Sequence, residues 1–455
     1  PHFPHTTLFR SLRRAQGDAV DEVLVVGQEL PECDVEIVGQ PSRAVSAHAK
    51  RNTRRSSSVA VCRLMEASCV MEVTMTRHRL GGALGLALAL AVSAAAAVAE
   101  EEPPTPLLEA LAFVPAEAEP TGLDFVDWAQ LRELHDGGDI TGESPLAERQ
   151  RLMLAIAGAE AATMPLGFDR LAAWRDTWGW GNADLVWEAR VFGRFAVMRF
   201  GDHWDATRFD EALTGFGYAA RPIEGGTLYE PDPTAEVPWQ LRFANMHGLD
   251  VHGQGVTEPM VWVALSEDGR TVVFGRDADA GRILREGSMA ESSAVAISGF
   301  GRAASALETP LAASILDGGA ACSETTMGWL EGEAYAAAAA VAPLHRYEAF
   351  AAGYTRAAAS APPRGRFVFA YPDTAQAHDD LAGRRVLVEE GYPLNDNFSR
   401  YDEMAFGLSD ARVTGSRLIL DVAPVNYEPV HVMRQVRTTP ILFATCGPMP
   451  GSDTA

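Results

Sequence analysis

The most ligand-like cluster in the sequence is a short segment that holds two histidines and a carboxylate. Asp250 and His252 would share one face of an extended strand, and His247 can fold back across Gly248. Imidazole and carboxylate groups together suit zinc or another transition metal. Polar residues flanked by glycine are also typical of a loop, and no further ligand is marked. The sequence therefore predicts a metal site at His247, Asp250 and His252, with a plain loop as the alternative.

Five tryptophans form a second cluster of interest, at positions 174, 178, 180, 187 and 204. Exposed indoles would form a stacking platform for sugars or apolar peptides. Trp174 and Trp178 have the spacing of a helix core, so structural packing is the competing interpretation. Trp178 and Trp180 flank a single glycine. We expect this pair to be partly exposed and to be the ligand-binding surface.

The motifs of catalysis and cofactor binding are weak or missing. Residues 298–304 match the G-x-G-x-x-A pattern of a dinucleotide-binding turn. Thr309 and Pro310, however, would end the following helix after about two turns, which is too short for the crossover helix of a dinucleotide-binding fold. We expect a plain turn there and no cofactor. The sequence has no G-x-S-x-G elbow and no H-E-x-x-H pair. It therefore names no catalytic residue.

A repeated local pattern indicates how these residues are positioned. Residues 194–218 are predicted to form a strand that begins with Arg-Phe and then a helix. Asp205 caps the start of this helix, and a Gly-Tyr pair marks its end. Residues 366–392 repeat this pattern with Asp373 as the cap, and hairpin-like sequence follows each copy. Asp127 and Gln130 form another capping-box pattern.

Strand–helix–hairpin units of this kind assemble into antiparallel sheets. We therefore predict an α+β protein of two related halves, residues 123–310 and 311–455. The helices are expected on one face of the antiparallel sheets, and a ferredoxin-like arrangement is one form that the halves can take. A chain of this length is sufficient for two hydrophobic cores.

The region before the halves has the features of an export signal. A basic segment ends at Arg79, an apolar run follows, and Ala97-Val98-Ala99 resembles a cleavage site. The prediction is a signal peptide over 75–99, with an uncleaved signal anchor as the alternative because residues 80–99 are long enough to span a bilayer. Residues 1–74 are interpreted as upstream sequence translated in error, and residues 100–122 as an acidic, proline-rich tether.

The two cysteines of the exported part fit an oxidising compartment. Cys322 and Cys446 form an even pair, which predicts one disulfide. Two buried free thiols are the alternative.

The charge balance excludes some partners. The chain contains 38 Lys and Arg against 61 Asp and Glu, which gives a formal net charge of −23. A phosphate-binding protein needs a basic face, so nucleic acid and anionic membrane surfaces are not expected partners. Contact with a membrane is expected only through residues 80–99, if they remain uncleaved.

Residues 125–128, the two Gly-Tyr helix ends and the closing segment 442–446 together support a resemblance. Through them the chain resembles a diffuse group of exported α+β proteins of high-GC bacteria, over most of residues 107–446. The resemblance carries no catalytic residues. The hypothesis is an exported, non-catalytic binding or cell-envelope protein, whose partner is a small molecule, a glycan or a protein. The alternatives are an extracellular metal-assisted hydrolase and a membrane-anchored sensor domain.

Overall fold

The computed structural model describes the part of the chain that forms one continuous sheet and its helices. It covers residues 104–115, 122–159, 171–191, 194–232, 234, 261–287, 298–322, 331–358, 360–392, 399–425 and 442–447. The predicted signal segment and residues 1–74 lie outside these ranges.

The protein is an α+β protein with a 12-stranded antiparallel sheet. The strands in sheet order are β11 (Phe406–Thr414), β12 (Arg417–Pro424), β10 (Arg364–Ala370), β9 (Ala349–Thr355), β8 (Ala312–Asp317), β1 (Gly122–Asp127), β2 (Leu185–Val191), β3 (Phe195–Phe200), β7 (Thr271–Gly275), β6 (Trp262–Ser266), β5 (Gly226–Glu230) and β4 (Ala219–Ile223).

Eleven α-helices are present in the described ranges. They are α1 (Pro106–Ala112), α2 (Trp128–Leu134), α3 (Leu146–Ala159), α4 (Leu171–Trp178), α5 (Ala206–Gly215), α6 (Asp279–Gly287), α7 (Ser298–Ser305), α8 (Gly318–Ala321), α9 (Gly332–Ala339), α10 (Thr374–Glu389) and α11 (Tyr401–Met404). None of the helices in these ranges is long and apolar enough to cross a membrane.

Helices cover both faces of the sheet. On the first face, Phe200 and Phe350 belong to a core that includes residues of α2, α4, α5 and α10. On the second face, Val197 and Ala351 belong to a core that includes residues of α1, α6 and α7. The prediction of helices on one face is therefore wrong. The reason is that every residue of β1 is buried, so both sides of the central strands need a cover.

Helix α1 corrects a second expectation. Leu111 of α1 is fully buried in the second-face core, and Thr105 caps the helix. Residues 106–112 therefore belong to the folded body rather than to a tether.

The predicted aspartate caps are confirmed. The carboxylates of Asp127, Asp205 and Asp373 accept hydrogen bonds from backbone N–H groups at the starts of α2, α5 and α10, at 2.8–2.9 Å. Asp127 is the last residue of β1, and Asp205 and Asp373 come a few residues after β3 and β10, so each cap starts a helix soon after the chain leaves the sheet.

The Asp127 cap is expected to make stability depend on pH. Burial raises the pKa of the Asp127 carboxyl from 3.8 to about 6, against the opposing hydrogen bond from Gln130. The folded state thus holds this proton more tightly than the unfolded chain. This contribution to the free energy of unfolding is present below about pH 4 and is lost as the pH rises to about 6.

Asp127→Asn keeps a good cap and removes this titration. We compare the free energy of unfolding of wild type with that of Asp127→Asn at each pH. The difference, wild type minus variant, is expected to decrease by about 2–3 kcal/mol between pH 4 and pH 7. Urea unfolding at several pH values measures this difference. Asp373→Asn, at an exposed cap, is the control. Parallel pH profiles for wild type and Asp127→Asn would contradict the prediction.

A buried arginine joins α10 to the C-terminal segment. Arg384 is fully buried, and its Nη1 donates to the carbonyl oxygens of Phe443, at 2.7 Å, and Thr445. Its Nε donates to the hydroxyl of Tyr371 at 3.2 Å, and Nη2 lies 3.4 Å from a carboxylate oxygen of Asp380. The guanidinium group therefore compensates several buried acceptors at once.

The predicted disulfide is confirmed beside this cluster. Cys322, after α8, is bonded to Cys446 with a Cα–Cα distance of 5.0 Å and a sequence separation of 124. Cys446 is buried in the first-face core. The C-terminal segment is thus held by a covalent bond and by the Arg384 hydrogen bonds.

Candidate functional site

A cleft lined by both apolar and charged residues opens on the second face of the sheet, beyond helix α7. It has a volume of about 600 Å³ and lies above β9, β10, β12 and β11. Its walls are the turn at Leu307 and Glu308, the Pro362-Pro363 segment and the start of β11 around Ser409. We call this feature the β10 cleft.

The strand register places a row of residues across the floor of the β10 cleft. Gly353 of β9 is opposite Arg366 of β10, Arg366 is opposite Asp421 of β12, and Asp421 is opposite Asp410 of β11. Directly opposite residues of antiparallel strands point to the same face. The row thus presents one guanidinium group and two carboxylates toward the cleft.

Arg366 is held in place by three acceptors. Its Nε donates to Asp421 Oδ1 at 2.6 Å, and its Nη1 donates to Glu308 Oε1 at 2.6 Å and to the carbonyl oxygen of Ala306 at 2.9 Å. Charge-assisted hydrogen bonds of this kind are about twice as strong as neutral ones. The floor of the cleft is therefore preorganised.

Asp421 bridges two arginines. Arg412 of β11 donates to Asp421 and also to Asp410 Oδ2, at 2.6 Å from the latter. Burial acts to raise the pKa of Asp421, but the hydrogen bonds from Arg366 and Arg412 outweigh it and hold that pKa below its usual range. Asp421 is therefore ionised at neutral pH, and Arg412 separates two carboxylates that would otherwise repel each other.

Two backbone irregularities shape the walls of the cleft. Glu308 has a φ of 63°, a left-handed conformation that is uncommon for a residue other than glycine. A register shift between Leu408 and Asp410 displaces Ser409 from the regular pairing of β11. Such strain and such bulges are enriched at ligand-binding sites, where they re-aim side chains.

The predicted tryptophan surface is buried in the structure. Trp178 and Trp180 are 1% and 0% exposed, so the expectation of partial exposure is wrong. Trp180 packs edge-on against Trp174 and Phe200 at 5.5 Å, and Trp178 lies 4.8 Å from Phe216. These indoles fill the first-face core between α4, α5 and the sheet, where large apolar side chains gain most from burial.

The predicted metal site cannot be located on the structure, because His247, Asp250 and His252 lie outside the described residues. Among the residues that are described, no group of three or more His, Cys, Asp and Glu side chains could hold a metal ion. The metal site remains a prediction from the sequence.

The segment that imitates a dinucleotide turn is a helix. Residues 298–305 form α7, so the expectation of a plain turn is wrong. A Cβ atom at Gly299 would lie 2.7 Å from Cβ of Glu348. Glycine is thus required there for close packing of α7 beside β9.

Comparisons with known proteins give no relative from which to transfer a function. No protein-family model, curated protein sequence or solved structure matches the chain significantly. The case for a site therefore depends on the geometry of the β10 cleft.

Proposed function

We propose that the protein is an exported, non-catalytic binding or cell-envelope protein whose ligand occupies the β10 cleft. The observation that carries this proposal is the size of the cleft, about 600 Å³, over a floor on which Arg366 is already fixed by Asp421 and Glu308. Small-molecule sites are typically concave, largely preformed and of this volume.

Export is supported by two independent features. The signal-like segment 75–99 predicts passage across a membrane, and the Cys322–Cys446 disulfide is typical of oxidising compartments.

A relation between two halves of the chain is a further part of the proposal. The strand orders β1-β2-β3-β7 and β8-β9-β10-β12 run outward from the middle of the sheet, and an aspartate-capped helix follows β3 and β10. The order β10-β12-β11 with α10 is also the split arrangement that begins a ferredoxin-like unit. These correspondences support halves at about residues 123–310 and 311–455.

Blocking the cleft tests the binding function. We expect amino acids, peptides, sugars or organic acids in a screening panel to stabilise the wild-type protein against thermal unfolding. A ligand at one hundred times its Kd contributes about 2.7 kcal/mol. In Ser409→Trp, an indole placed at the cleft wall is expected to abolish that stabilisation.

Thr414→Trp is the matched control, because Thr414 is an exposed residue of the same strand that does not line the cleft. This variant should retain the ligand response. A panel without any stabilising compound, or an unchanged response in Ser409→Trp, would contradict the proposal.

A further inference from the structure

The formal charges around the β10 cleft sum to zero, but not every charged side chain is paired with one of opposite charge. The cleft and the partners of its ion pairs hold equal numbers of guanidinium groups and carboxylates: Arg364, Arg366, Arg412, Glu308, Asp410 and Asp421. Arg366 and Arg412 are paired with carboxylates. A ligand with a large net charge would therefore meet both attraction and repulsion.

Arg364 provides a positive pole. It is exposed at the start of β10, next to Pro363, and no ion pair or hydrogen bond joins its side chain to the described residues. An arginine that lines a cleft without a protein acceptor is suited to a ligand carboxylate, to which its planar group donates two hydrogen bonds.

Glu308 and Asp410 provide a negative pole. Glu308 pairs with Arg366 through Oε1, and Asp410 pairs with Arg412 through Oδ2. The second oxygen of each carboxylate accepts no hydrogen bond from the part of the chain described here. Their side chains are 70% and 55% exposed. Each therefore has capacity to accept a hydrogen bond from a ligand ammonium group.

The lining of the cleft also disfavours ligands that bind by stacking. Among the described lining residues none is aromatic, whereas sugars and nucleobases are commonly held on aromatic faces. Leu307, Pro362, Pro363 and Val422 supply aliphatic apolar surface instead. Such a lining suits a compact molecule that is recognised through charge.

We propose that the ligand of the β10 cleft is a small zwitterion, a free amino acid or a short peptide. Its carboxylate binds Arg364, and its ammonium group binds the free oxygens of Glu308 and Asp410. A zwitterion matches both poles without adding net charge, whereas a simple anion faces the carboxylates and a simple cation faces Arg364. This inference rests on the proposed binding function and names the class of ligand.

Titration calorimetry with three related peptides tests the zwitterion directly. Dialanine carries both charges, N-acetyl-dialanine carries only the carboxylate, and dialaninamide carries only the ammonium group. We expect dialanine to bind the full-length wild-type protein at least about tenfold more tightly than either blocked peptide, because each lost contact is a hydrogen bond between charged groups.

Variants identify the two poles. Arg364→Gln and Glu308→Gln should each weaken dialanine binding about 10- to 100-fold, and Arg385→Gln, on the exposed side of α10, should leave it unchanged. The proposal of a zwitterionic ligand would be overturned by any of three results. These are N-acetyl-dialanine binding as tightly as dialanine, unchanged dialanine affinity in Arg364→Gln, or no binding of any of the three peptides. The screening panel with Ser409→Trp tests a different point, which is whether the cleft binds any ligand. A positive panel together with a negative peptide result would keep the binding function and reject the zwitterion as its ligand.

Discussion

Arg384→Met is expected to lower the free energy of unfolding by about 3–5 kcal/mol, the usual effect of removing one partner of a buried ion pair. The substitution leaves the Asp380 carboxylate, which is 1% exposed, without its cation. It also removes the hydrogen bonds that Arg384 donates to the carbonyl oxygens of Phe443 and Thr445. Each buried acceptor that loses its partner adds a desolvation cost.

The neighbouring residue on α10 gives a matched control. Arg385 is 57% exposed and pairs with Glu389 one turn away. Arg385→Met should cost less than about 1 kcal/mol, because exposed ion pairs contribute little. The double variant Arg384→Met, Asp380→Leu should recover part of the loss, since it no longer buries an unpaired charge. Urea unfolding measures all three, and equal effects of the two single substitutions would contradict the role given to Arg384.

Removal of the disulfide is the second large effect. Changing both Cys322 and Cys446 to Ala should lower the free energy of unfolding by about 4–5 kcal/mol in the chain-entropy model, because the bond closes a long loop. The sequence separation is 124, and the stabilisation in this model increases with the length of the closed loop. Unfolding under oxidising conditions measures the difference between wild type and the double variant.

The control is the same measurement in a reducing buffer. Wild type with its thiols reduced should approach the stability of the double variant, apart from a small packing loss at the buried Cys446. If the two proteins differed equally in oxidising and reducing buffers, the stabilisation would not come from the bond.

Local features of the fold were predictable because their causes are local. Asp127, Asp205 and Asp373 lie within a few residues of the N–H groups that they cap. The disulfide was predictable because only two cysteines remain after residue 99. Strand order was not predictable, because β1 and β8 pair across the interval between Gly122 and Asp317.

The repeated Arg-Phe pattern shows the limit of local similarity. Phe195 of β3 lies in the second-face core, whereas Phe367 of β10 lies in the first-face core. Side chains alternate along a strand, so a shift of one residue between two similar sequences reverses the face. The pattern thus identified both strands correctly but did not align their side chains.

The candidate site escaped detection for a related reason. Arg366 and Asp421 are 55 residues apart in sequence and become neighbours only through the β10–β12 pairing. A visible signal was a charged residue in the interior of each strand, Arg366 in β10 and Asp421 in β12. The ligand-binding surface was instead predicted from the local concentration of tryptophans. Such a concentration occurs in hydrophobic cores as well as on binding surfaces, so it does not distinguish the two.

The pairing of β1 with β8 has a consequence for biogenesis. Asp124 and Ser314, which are hydrogen-bonded across this pair, are separated by 190 residues. Until the later strands have been synthesised, β1 presents an open edge to which other chains can attach. A nascent chain that has not reached residue 312 should therefore be more prone to aggregation than a chain in which β8 already covers this edge.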